Sequence, residues 1–176
     1  MFDKLIDFVL QQINNIIPFA IIFQFQKGVK YTLGKYIKVL DPGIHWKTPY
    51  IDIILKDNVV DTTMLLPSQS ITTQDAKEVI VRATVGFYVK DIAAFFNSVY
   101  DTRSALADRT CVVIKRVIID NTLQECREYS DAIDKLIAKE VQKNVKKYGI
   151  KINFIALTDM TNSRSLRLFN ESVKLD

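Results

Sequence analysis

From position 79 to position 90 the chain alternates without a break. Val79, Val81, Ala83, Val85, Phe87 and Val89 take one set of positions, and Ile80, Arg82, Thr84, Gly86, Tyr88 and Lys90 take the other. A period of two puts the first set on one face of a strand, so this stretch reads as a long, half-buried β-strand. Upstream, shorter strand candidates are separated by sharp turns. In Asp41-Pro42-Gly43, proline fixes φ and glycine accepts a positive one. Pro49 then limits how the following strand can pair. Short strands, tight turns and one long closing strand describe a small curved sheet.

Helical signals follow. Asp91 is placed to cap a helix over 92–99, and Asp101 to open a second with Leu106, Val113, Ile114, Val117 and Ile118 as its apolar positions. Asp120-Asn121 breaks it, and Thr122 caps a short turn that runs to Cys126. A strong helix starts at Ser130, with Ile133, Leu136, Ile137, Val141 and Val145 as its stripe and Gly149 as a C-terminal glycine. Lys139, Lys143, Lys146 and Lys147 crowd its second half. They suit the negative end of the helix dipole; an anion or nucleic-acid patch is the alternative reading. A late strand over 151–158 can join the early sheet. The expected class is therefore α+β: a small, mostly antiparallel curved sheet with helices packed on one side.

With 176 residues and an apolar share of 48%, the chain suits one ordered domain. A net charge of +4 permits attraction to anionic surfaces without requiring nucleic acid, and no aromatic residues are interleaved with Lys139, Lys143, Lys146 and Lys147. Cys111 and Cys126 fall on helices and read as reduced, buried thiols, which fits a reducing compartment such as the cytoplasm. The start shows no basic n-region and no small-residue cleavage site, so no cleavable signal peptide is expected.

The order of motifs resembles the SPFH (band 7) domain shared by stomatin, prohibitin and flotillin. The resemblance rests on Gly28, then Pro42, Gly43, His45, Pro49 and Asp52, then Thr73 and Asp75, then Tyr88, Val89 and Asp91, and last Gly149, Ile150, Ile152 and Asp159. It spans roughly residues 27–160. It implies a membrane-associated, self-assembling scaffold without catalytic chemistry. Relatives in the family organise lipid microdomains and enclose or regulate membrane proteases and channels. The pattern departs from the family at its end: no sustained heptad follows the late strand, so a short form without the long coiled coil is expected. The expected layout is an N-terminal helix over 1–18, the SPFH-like domain over 19–160 and a short segment over 161–176. A homo-oligomer, a membrane protease or a larger SPFH relative are the protein partners implied.

Phe2, Leu5, Ile6, Val9, Leu10, Ile13, Ile16 and Ile17 recur at helical spacing and form one apolar face, opposite Asp3, Lys4, Asp7, Gln11, Gln12, Asn14 and Asn15. Asp7 and the Gln/Asn cluster interrupt any window of about 20 apolar residues, which a membrane span needs. An amphipathic helix lying in the lipid interface is the expectation. Packing on the domain's own sheet or on a neighbouring subunit is the alternative. The polar face is poor in Lys and Arg, so basic help would come from Lys27, Lys30, Lys35, Lys38 and Lys47. Trp46, beside Lys47 and near Tyr50, suits a membrane–water boundary or a cover over the sheet end. The protein is thus expected to be peripheral or monotopic on a lipid surface.

Signals for chemistry are few. His45 is the only histidine, the cysteines lie fifteen apart, and no phosphate-cradling glycine motif or nucleophile elbow occurs. The expectation is no catalytic residue, no metal, no cofactor and no nucleic-acid partner.

Overall fold

The computed structural model describes residues 17–162. Nine strands and four helices occur among them: β1 Phe19–Ile22, β2 Gln26–Thr32, β3 Lys35–Leu40, β4 Gly43–Trp46, β5 Asp52–Asn58, β6 Thr62–Leu65, β7 Gln69–Thr72, β8 Glu78–Val89, α1 Ile92–Asn97, α2 Thr102–Ile119, α3 Leu123–Glu128, α4 Ser130–Val145 and β9 Ile150–Asn162. Every pairing between them is antiparallel. The class is α+β. The amphipathic stretch up to Ile16 and most of the C-terminal segment, with its Leu166, Leu168, Phe169, Val173 and Leu175, lie outside the described residues.

β8 is the strand that the alternation predicts. Val79, Val81, Ala83, Val85, Phe87 and Val89 are all buried on the core. It pairs β6 and β7 along one edge and β9 along the other. Two register shifts in the β8–β9 ladder, at Arg82/Ala83 and Gly86/Phe87, bend it, since bulges add local twist. β9 is longer than the expected 151–158 because it follows β8 over that strand's whole length.

The helices cover the core. Asp91 caps α1 by accepting from the N–H groups of Ala93 and Ala94, and Asp101 caps α2 by accepting from Arg103 and Ser104. Thr122 and Glu125 form a reciprocal capping box at α3. α4 opens at Ser130 without a side-chain cap, which Tyr129 occupies instead. Leu136 belongs to the α4 stripe by spacing, yet it is exposed; Ile133, Ile137, Val141 and Val145 are buried. Asp75 ties the β7–β8 turn to α3, accepting from the Leu123 N–H (3.2 Å) while paired with Lys77 (2.8 Å).

Gly149 ends a 3-10 turn, Lys146–Tyr148, at φ +70. A Cβ there would stand 2.2 Å from the Asp91 carbonyl oxygen. Its own carbonyl accepts the N–H groups of both Lys90 and Asp91. The junction of α4 and β9 is thereby pinned to the junction of β8 and α1.

The N-terminal strands form two thin layers. β2 lies between β3 and β5 in a three-stranded sheet, and β1 pairs only β4 in a two-stranded ribbon. One face of the three-stranded sheet meets the helices, where the Tyr31 hydroxyl donates to Asn97 and Arg103 pairs Asp57 at 2.7 Å. The ribbon covers the other face. Ile22 packs there so closely on Gly28 that a Cβ at residue 28 would lie 2.7 Å from it. The hydrophobic run over 19–25 does not continue as one strand: it turns after Ile22, with the Phe23 and Phe25 rings stacked at 5.6 Å.

Candidate functional site

The ribbon register decides what it shows to the outside. Phe19 sits opposite Trp46 and Ile21 opposite Ile44, so these four side chains share one face. All four point away from the domain and are 46–75% exposed. The inward face carries Ala20, Ile22, Gly43 and His45. Lys56 and Lys30 reach up from the sheet below and donate to the carbonyls of Ile21 and Trp46 (3.3 Å each). His45 Nε2 donates to the Asp41 carbonyl at 2.6 Å and holds the turn.

Two more apolar side chains stand at the adjoining tip. Leu33 and Gly34 both have positive φ and close the β2–β3 hairpin; Tyr50 has φ +63. The Leu33 N–H donates to the Ile51 carbonyl, which brings the two loops together. Leu33 is 78% and Tyr50 75% exposed. Holding a non-glycine residue in this region costs about 1–2 kcal/mol, and burial at these positions returns none of it. Sequence reasoning singled out Trp46 and missed Phe19, Ile21, Leu33 and Ile44 as outward residues. Period-two alternation says which residues share a face, not which face looks outward.

The five lysines expected to form a basic surface have different surroundings. Lys30 is turned inward onto Asp52 at 2.7 Å, with both side chains largely covered. Lys27 pairs Asp41 at the surface (3.2 Å). Lys35 and Lys38 are exposed on β3, Lys38 opposite Lys30. Lys47 anchors the start of β1 through its N–H, which donates to the Pro18 carbonyl. Asp52 also accepts from the Thr32 hydroxyl (2.6 Å) and the Thr48 N–H (2.7 Å). Lys30 first, then those two donors, hold its carboxyl well below the usual carboxylate range.

Cys126 is buried and Cys111 half-buried, and both are free. Burial pushes both thiols above the ordinary range. Among the described residues no helix is long and apolar enough to cross a membrane.

The described residues thus form an α+β domain whose N-terminal β-layer turns an apolar ribbon outward. The profile of the SPFH domain / Band 7 family matches residues 20–167, and the chain belongs to that family. A protein of Archaeoglobus fulgidus is 23% identical over 147 residues, 84% of this chain and 59% of that protein. Protein HflK of Haemophilus influenzae is 30% identical over 100 residues, 57% of this chain and 24% of HflK. A band 7 family protein of the Acanthamoeba polyphaga mimivirus is 21% identical over 143 residues, 81% of this chain and 47% of that protein. The chain thus spans about a quarter to three fifths of the length of these relatives.

Proposed function

We propose that this domain is a non-enzymatic scaffold that lies on a lipid surface and self-associates to organise membrane or regulate membrane proteins. The observation that carries the reading is the ribbon's outer face, four apolar side chains with no polar interruption. Half-burying them in the lipid interface contributes about 3–6 kcal/mol at roughly 1.5–3 kcal/mol per fully buried large side chain. Leu33 and Tyr50 extend the contact, and the exposed Lys35 and Lys38 each add about 1 kcal/mol beside anionic lipid. The chain reaches the ribbon directly from Ile17 and Pro18. The apolar positions of the sequence from Phe2 to Ile17 are proposed as a further lipid contact. Lateral contacts between copies fall to the helical half, where Tyr129 and Leu136 are exposed on α3–α4.

Trp46 is the chain's one tryptophan, so its emission reports this surface alone. On mixing with anionic vesicles its emission shifts to the blue, and the shift is lost in Ile21→Asp/Ile44→Asp. An emission spectrum indifferent to vesicles would sink the ribbon as the lipid contact, even if residues 1–17 still float the protein. A second reading, a soluble module that caps a larger SPFH assembly, uses the same apolar face against protein. It predicts large particles without lipid that dissociate in the same double variant.

A further inference from the structure

A cavity of about 880 Å³ opens between the β2–β3 sheet and the junction of α4 with β9. That volume falls within the ~300–1,000 Å³ of small-molecule sites. Its lining gathers five lysines from separate parts of the chain: Lys27, Lys90, Lys146, Lys147 and Lys151. Asp91 is the one carboxylate among the lining residues, and its oxygen already accepts from Ala93 and Ala94 at the start of α1. Lys90 and Lys146 make no ion pair among the described residues. The carbonyl end of α4 carries roughly half a negative charge, which is far less than the surplus of lysines. Capping the helix dipole therefore accounts for one or two of them, not five.

The walls are fixed before any ligand arrives. The Gly149 carbonyl holds the N–H groups of Lys90 and Asp91, and the Gln142 side chain bridges the Ile150 carbonyl and the Ile152 N–H. Lys147 and Lys151 lie over the rings of Tyr148 and Tyr88 at 5.1 and 6.0 Å. The Lys27–Asp41 pair is exposed on both sides, so it is weak and easily exchanged. Val39 and Ile150 give the floor an apolar part.

We propose that this cavity binds a small anion carrying several phosphate groups. The lining has no arginine, so it offers no planar fork for a single carboxylate. Several ammonium point charges around one space fit oxygens spread over more than one phosphate. Lys27 lies beside the ribbon, since Ile22 packs on the neighbouring Gly28 and Asp41 pairs with Lys27 just before β4. A free anion and a lipid headgroup therefore share the phosphate chemistry, and the two arms below tell them apart. The cavity itself does not depend on the membrane reading.

Titration of the full chain with tripolyphosphate by isothermal calorimetry tests the site. The expected result is saturable binding that weakens about tenfold or more in Lys90→Ser/Lys146→Ser and is unchanged in Lys139→Ser. Both replaced lysines are exposed. Circular dichroism and the melting temperature of the double variant check that the fold is kept. A second arm compares vesicles of phosphatidylcholine with and without phosphatidylinositol bisphosphate. Extra retention on the latter that needs Lys90 and Lys146, without tripolyphosphate binding, assigns the phosphates to a lipid headgroup. Lysine-dependent tripolyphosphate binding assigns them to a free anion. No saturable binding in either arm, or equal binding by the double variant, overturns the site. Trp46 emission is unchanged by tripolyphosphate, which separates this outcome from the fate of the ribbon reading.

Discussion

Among the described residues before position 61, only Ile22, Val29 and Leu40 are buried apolar side chains, while fourteen large apolar ones are exposed. From Leu65 onward the balance reverses, with twenty-five buried and eight exposed. The first lobe keeps its shape by backbone pairing and a few polar ties, such as Lys30 with Asp52. The second is held by a packed core between β8, β9 and the helices. Removing apolar surface should therefore matter for stability in one lobe and for association in the other.

The largest effect falls in the second lobe. Leu106 is fully buried in α2, so Leu106→Ala should cost about 3 kcal/mol and lower the melting temperature by roughly 10 °C. Ile44→Ser, equally drastic in chemistry but on the ribbon's outer face, should stay within about 0.5 kcal/mol of the parent. If the two substitutions destabilise alike, the contrast between the lobes fails.

A junction inside the second lobe comes next. Gly149→Ala forces a Cβ against the Asp91 carbonyl at positive φ, and a loss of about 2 kcal/mol or more is expected in chemical denaturation. A loss no larger than that of an exposed substitution would mean that this pinned junction is not needed.

The smallest effect is confined to the first lobe. The Asp52 carboxyl is held below its ordinary 3.8, so its stabilising effect is complete above that value and is lost as pH falls toward the folded pKa. Amide exchange at Thr48 should accelerate as pH drops below 4, once corrected for intrinsic rates, while amides of β8 hold. Asp52→Asn should show fast Thr48 exchange at neutral pH already. Uniform loosening of both lobes would contradict the separation.

Local rules made much of the fold legible. Asp91, Asp101 and Thr122 cap helices because a short polar side chain next to an apolar stripe satisfies the first free N–H groups. The β8 alternation is buried as read because one strand carries its own pattern. What stayed hidden depends on distant pairing. Lys30 meets Asp52, twenty-two residues on, and nothing near either residue announces it. Lys146 and Lys147 read locally as charges for the end of α4; only the folded chain brings Lys27, Lys90 and Lys151 beside them. Leu136 fits the helix stripe but is exposed, so spacing alone misplaces it.

The β8–β9 ladder has a consequence for the order in which the chain can fold. Val89 pairs with Ile150, sixty-one residues later, so the core cannot close until the helices have been made. The first five strands have all their strand partners by Asn58, and the β2–β3 hairpin turns within two residues. Some ninety residues separate that point from β9, roughly 5–20 s of synthesis at ~5–20 residues per second. Throughout that interval the nascent chain offers its outward apolar ribbon to whatever surface lies nearest, before it has an interior of its own.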